Sequence, residues 1–204
     1  MLVVAADVGS VIQGNFAWSS TDRHGQVLDD TSPDALAQHV SEALAAGELV
    51  ALGFECPLAV PVPKLSRDLG RQRDGEAGRP WSVFAGAGAL ALGLAELAWV
   101  LGFMPGVGAT VIPSRWSEPL PLFLWEAFVS GVHKPAATAE SAHINDARAA
   151  VRGFQGLGSP LPASGRITTG KHRSLNLAAT AALSGGLRID PSELSAPILV
   201  VDGT

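Results

Sequence analysis

A single cysteine, Cys56, occurs in 204 residues, so no internal disulfide is available and a disulfide-built scaffold is excluded. The chain has no C-x-x-C pair, no G-x-G-x-x-G turn and no G-x-S-x-G elbow. It therefore lacks the short signatures of thiolate metal sites, dinucleotide-binding turns and serine-hydrolase elbows. Charge is sparse at 16% of residues, and 14 Lys+Arg against 19 Asp+Glu leaves a net charge of −5. That balance argues against coating nucleic acid or anionic lipid by bulk charge, while leaving local basic surfaces open. The N-terminal apolar run LVVAADVG has no basic stretch before it and is cut by Asp7, so it does not have the form of a signal peptide. A reducing, cytoplasmic setting is expected. No internal repeat and no linker divides the sequence, and 47% apolar residues suffice for one core. We therefore expect a single domain over residues 1–204, with a C-terminal extension after about residue 155.

Long hydrophobic runs are nearly absent. The exception, residues 83–104, is 22 residues with Glu96 as its only charge, close to the length of about 20 residues that crosses a bilayer. Residues 85–89 are all Gly or Ala, a composition suited to close packing of a helix on a sheet, and no Lys or Arg follows immediately to fix an orientation. A buried helix is the better reading, with no membrane partner.

The remaining patterns give an element order. Residues 2–9, 15–22 and 26–29 are short strand-like stretches joined by tight turns, that is, an antiparallel meander. Ser32 followed by Pro33 and Asp34 marks a helix start, Leu36, Val40 and Leu44 share a face, and Gly47 ends it. Residues 49–54 (LVALGF) read as a central parallel strand, apolar on both faces. Residues 57–80 are Pro-, Gly- and charge-rich without periodicity, which predicts a long surface loop. Residues 109–112 and 120–129 are strand candidates, the second favoured as the fifth sheet strand although helical periodicity over 121–130 is nearly as good. Residues 141–154 form an amphipathic helix with Ile144, Ala147 and Val151 on one side. Residues 155–173 read as loop, 174–183 as a small-residue helix and 198–201 as a last strand. The sum is an α/β fold with a mixed five-stranded sheet, a three-strand meander plus parallel strands, flanked by helices.

Four acids fall where chemistry would use them. Asp7 ends the first strand, Glu55 ends the fourth, Glu126 lies in the expected fifth and Asp146 in the helix after it. If the first and fourth strands are parallel neighbours, Asp7 and Glu55 come within a few ångströms, and the late helix adds Asp146 and, one turn earlier, His143. Such a cluster is costly unless neutralised, and hard divalent cations with oxygen ligands, Mg²⁺ or Mn²⁺, would do that.

The segments LVVAADVGS, LVALGFECPLAVP and HINDARAAVRGF, in this order, resemble the ribonuclease H-like superfamily, particularly its Holliday-junction-resolvase branch and related predicted nucleases. The resemblance implies a ribonuclease H-like fold over residues 2 to about 154, with Asp7, Glu55 and Asp146 as metal ligands. It also implies a divalent-metal-dependent nuclease or phosphodiesterase acting by two-metal-type hydrolysis on DNA or RNA. His143 matches the place where the resolvase branch carries an acid or a histidine, and serves as ligand or proton acceptor; Glu126 is a further candidate ligand. Branch-specific relatives act as dimers, so a homodimer is an expectation.

Charge is unevenly distributed. Residues 1–63 hold eight acids and one base, whereas residues 147–189 hold Arg148, Arg152, Arg166, Lys171, Arg173 and Arg188 with no acid. A second basic group, Lys64, Arg67, Arg71, Arg73 and Arg79, follows Glu55, diluted by Asp68, Asp74 and Glu76. If both segments rim the acids, Arg67, Arg71, Arg79, Lys171 and Arg173 hold substrate phosphates, and Trp81 is placed to stack on a base. Residues 165–172 (GRITTGKH) nearly fit a phosphate-binding loop. However, His172 stands where Ser or Thr should hold magnesium, and no strand precedes Gly165. Two rival readings are a catalytically inactive binding or scaffold module of the same fold, and an ATPase of sugar-kinase or chaperone topology. The second is weakened because those proteins use two copies of the domain.

Overall fold

The computed structural model describes residues 1–76, 80–129 and 142–203. Alternation and turn chemistry give the meander as expected: β1 (Leu2–Asp7), β2 (Ala17–Thr21) and β3 (Val27–Asp30), paired antiparallel in sequence order. Helix α1 (Pro33–Ala45) starts where the Ser32 hydroxyl accepts the Ala35 amide at 3.2 Å, and the chain leaves it through Gly47 at φ 77°, a left-handed conformation open to glycine. Strand β4 (Val50–Phe54) then lies parallel beside β1 with Ala6 opposite Phe54.

Two short strands lie where an irregular loop and the start of a helix were expected. β5 (Ala59–Val62) and β8 (Arg173–Asn176) pair antiparallel as a separate two-stranded ribbon, Ala59 opposite Asn176 and Val62 opposite Arg173. Between them lie α2 (Phe84–Leu101), β6 (Ala109–Thr110), β7 (Leu122–Phe128) and α3 (Ala142–Gln155). The small-residue helix begins later than expected, as α4 (Leu177–Ser184), because Asn176 caps it by accepting the Ala179 amide at 2.9 Å. β9 (Val200–Asp202) ends the chain.

The main sheet has seven strands, not five. Its order is β3-β2-β1-β4-β7-β6, and β9 joins the same strand β7. The two-residue β6 pairs with the start of β7, at Leu122 and Phe123, and β9 with its end, at Glu126 to Phe128. Both additions are parallel to β7 and lie within the strand candidates at 109–112 and near 198–201; what local pattern does not give is that both join the main sheet through β7. The sheet is thus mixed, with helices on both faces. Residues after 155, expected as an extension, supply β8, α4 and β9.

Residue parity sorts the two cores. Val3, Ala5, Ala51, Phe123 and Trp125 face α3, with Val151 and Phe154 packed on them. Val4, Ala6, Leu52, Phe54 and Leu124 face α1, α2 and α4. Gly53 is required on the α3 side, because a Cβ there would lie 2.4 Å from the Trp125 ring. On the other side Gly93 lets α2 touch the end of β1: a Cβ would lie 2.5 Å from Cys56 Sγ and 2.9 Å from Val8 Cγ1. Among the described residues α2 alone is long and apolar enough to cross a bilayer by length and composition, a test that core helices also pass. It is built into the protein through Gly93, Glu96, Leu97, Val100 and Leu101, and packs against α4 and α1.

Candidate metal centre

The β1–β4 register carries one step past the ladder. Glu55 donates its amide to the Ala6 carbonyl at 2.8 Å, which sets Asp7 and Glu55 level at the carboxyl ends of adjacent parallel strands. By strand alternation both side chains leave the sheet on the α3 face, where the first turns of α3 deliver His143 and Asp146. One carboxylate oxygen from each of Asp7, Glu55 and Asp146 lies within 4.8 Å of the others. Asp7 and Asp146 are buried and Glu55 is half-buried. This buried acidic triad could hold a metal ion, since three oxygen donors converge from three separate elements.

Nδ1 of His143 lies 2.6 Å from Asp7 Oδ2. Burial pushes the Asp7 carboxyl above the usual carboxylate range, and the charge of Asp146 adds to this. His143 pulls the other way, through its hydrogen bond and its charge when protonated, as does a hydrogen bond with Glu55. A cavity of about 250 Å³ opens over the centre, lined by Asp7, Glu55, His143 and Cys56, by Glu76 and Glu126, and by the Ala85, Gly86 and Ala89 face of α2.

Glu126 is placed differently. It is paired with Val200 and stands level with Phe54, one step earlier than Glu55, so its side chain leaves on the opposite face. There Arg73 grips it with two 2.7 Å hydrogen bonds, one to each oxygen, and the Leu58 amide donates to it at 2.8 Å. Arg73 also holds Glu76, at 2.9 Å, and the Ala59 carbonyl, at 3.2 Å, and is itself only 2% exposed. Burial works against the guanidinium charge, but the Glu126 and Glu76 carboxylates outweigh it and raise the Arg73 pKa. Glu126 is therefore an ion-pair partner, not a member of the triad.

Two residues were missed by sequence reasoning as parts of this neighbourhood. Arg73 was grouped with a solvated basic loop, and nothing in its local sequence distinguishes it. Glu96 did carry a signal, as the one acid in an apolar helix three residues after Gly93. It is 8% exposed, neither oxygen has a well-formed hydrogen bond, and its carboxyl is pushed up to about 7 by burial and then by the charge of Asp7, with the Gly9 amide only partly offsetting this. Cys56 is buried and free, and burial, reinforced by Glu126, Glu96 and Glu55, raises its thiol well above the ordinary value. It is a core residue and not an activated thiolate.

Among the described residues, those expected on phosphate do not line this cavity. Lys171 and Arg173 line another groove, Arg67 sits on a neighbouring 3-10 turn, and Arg71 lies 3.7 Å from Asp68. Arg79 lies outside the described residues. Trp81 donates its indole N–H to the Arg71 carbonyl at 2.9 Å. Family models, curated proteins and solved structures were each compared with the chain, and none matches.

Proposed function

We propose that the protein is a divalent-metal-dependent nuclease or related phosphodiesterase of ribonuclease H-like fold, acting on DNA or RNA. The observation that carries this is the convergence of Asp7, Glu55 and Asp146 within 4.8 Å of one another at the carboxyl edge of parallel strands. The donor set fits the ion: three carboxylates and no thiolate suit a hard cation such as Mg²⁺ or Mn²⁺. Bound there, one such ion, or two about 3.5–4 Å apart, would supply charge neutralisation and polarisation of a phosphoryl oxygen.

The chain's own residues have separable roles. Asp7, Glu55 and Asp146 provide oxygens from three elements, so the site needs the folded chain and is fixed by the sheet register. His143 holds Asp7 through Nδ1, while its Nε2 has no partner among the described residues and is available to take a proton from an attacking water. Ala85, Gly86 and Ala89 give the cavity an apolar wall from α2. A cytoplasmic setting belongs to the same reading, supported by the lone, buried, unpaired Cys56.

Purified protein should cleave DNA or RNA when Mn²⁺ or Mg²⁺ is added, and Asp7→Asn should lower the rate on the order of 10³-fold or more. Undiminished cleavage by that variant would remove the mechanism. The scaffold reading is favoured by one observation, a set of exposed apolar residues, Leu92 and Trp99 on α2 and Phe103 just past its end, which also supports a homodimer. Calorimetry without a metal-binding signal, together with a dimer by light scattering, would select it.

A further inference from the structure

The cations of this chain fall into two groups. Nearly all described arginines are engaged, most by a carboxylate, as Arg148 is by Asp29 and Arg166 by Asp202. Among the described residues Lys64, Arg67, Lys171 and Arg173 have neither an ion pair nor a side-chain hydrogen bond. They are far apart in sequence but not in space. Lys64, Lys171 and Arg173 line one open groove of about 750 Å³ together with His172, and Arg67 belongs to the 3-10 turn Ser66–Asp68, whose neighbours Leu65 and Asp68 complete the same wall. The only acid there, Asp68, is turned toward Arg71.

The fold explains the gathering. The β5–β8 ribbon pairs Val62 with Arg173, so the cations leaving the end of β5 and those entering β8 meet at one end of the ribbon. Its other end, Ala59 opposite Asn176, adjoins the acidic cavity through Leu58, whose amide holds Glu126. The groove and the cavity have no lining residue in common. Seven Cα steps lead from Glu55 to Val62, which at about 3.3 Å per extended residue puts their Cα atoms at most about 23 Å apart.

Free cations at a distance from the acids cannot grip the phosphate that is cut, but they can hold the same polymer farther along. The geometry points to this groove as a second, non-catalytic binding site for the sugar-phosphate backbone of a polynucleotide, which spans from the ribbon's cationic end to the acidic cavity. The inference rests on the nuclease reading and narrows it: the substrate is a polymer, not a small phosphoester. With phosphates spaced about 3.4 Å along each strand of a duplex, the span corresponds to up to about seven nucleotides. The groove has no Phe, Tyr or Trp in its lining, His172 being its one ring, and no buried polar group for reading bases, so recognition there is chiefly through charge and indifferent to sequence.

The test measures binding alone, in chelator, with the Asp7→Asn protein as parent, so that it stands whether or not the protein cleaves. Fluorescence anisotropy with labelled oligonucleotides of 4 to 20 units, single- and double-stranded, should show affinity rising steeply until the oligomer exceeds about seven nucleotides. Adding Lys64→Glu, Lys171→Glu and Arg173→Glu should weaken the 20-mer at least about tenfold and lower the slope of log K against log salt by two to three, roughly one for each phosphate that is no longer neutralised. Equal binding of the 4-mer and the 20-mer, or an unchanged salt slope in the triple variant, would overturn the proposal. So would binding to polyglutamate or to phosphatidylserine vesicles that the triple variant loses while no oligonucleotide binds, since the groove would then serve an acidic protein or a membrane. If the parent binds oligomers as expected and the unmutated enzyme never cleaves them, the groove stands and the nuclease reading falls.

Discussion

The carboxyl edge of the sheet places acids on both faces, and the two faces neutralise them differently. On the α2 side Glu126 and Glu76 are buried, and one guanidinium, that of Arg73, meets both. On the α3 side Asp7, Glu55 and Asp146 converge with a half-exposed histidine as the basic group hydrogen-bonded to Asp7. The first arrangement completes itself with a cation from its own chain. In the second, burial and, to a lesser degree, the charge of Asp146 raise the Asp7 pKa, the condition under which an external cation is favoured. One register step, Glu126 level with Phe54 and Glu55 one beyond it, separates a carboxylate paired with Arg73 from a member of the acidic triad.

The contrast between the faces is tested most severely at Arg73. Arg73→Met leaves Glu126 and Glu76 buried without their partner and should cost about 3–5 kcal/mol, read as a fall in the denaturation midpoint. A destabilisation below about 1 kcal/mol would mean the two faces do not differ as described. The α3 side should respond to metal instead. Mn²⁺ at a hundred times its Kd should stabilise the protein by about 2.7 kcal/mol, seen as a rise in Tm, and Asp146→Asn should abolish most of that rise. A smaller effect tests Glu96, which sits on α2 and feels the charge of Asp7. Its folded pKa, about 7, stands above the ordinary value of 4.5, so unfolding releases its proton between those limits. Stability in chelator should therefore be highest below about pH 4.5 as far as this group is concerned and fall as pH rises toward 7, by on the order of 2 kcal/mol. Glu96→Gln should flatten that decline, and a pH profile indistinguishable from the parent's would show that Glu96 is solvated when folded.

What the sequence revealed follows from the range of the forces involved. The meander, α1 with its Ser32 cap, and β4 are set by local alternation and capping, and they lie where the pattern put them. So do the strand-end acids Asp7 and Glu55 and the helical pair His143 and Asp146, because strand ends and one helical turn are local facts. β5 was hidden by Pro57, Pro61 and Pro63, which ordinarily demote a strand; it survives as half of a two-stranded ribbon. β8 is four residues long and runs directly into α4, so its alternation had no room to show. The partnership of Arg73 with Glu126 spans 53 residues and no local rule expresses it. Glu126 borders the cavity but stands outside the triad, held by Arg73, for a related reason: the strand was foreseen, but its face depends on pairing with β4.

The stretch from Val62 to Arg73 is fastened at both ends, by Val62 to Arg173 across the ribbon and by Arg73 to Glu126 beneath it. Between those anchors the backbone makes no strand pairing, so its length and composition are free to drift or be redesigned. Lys64 and Arg67 lie inside this interval and every member of the acidic triad lies outside it. On the proposed reading, part of the grip on substrate, Lys64 and Arg67, and the acids that would act on it are therefore written on separately editable pieces of chain.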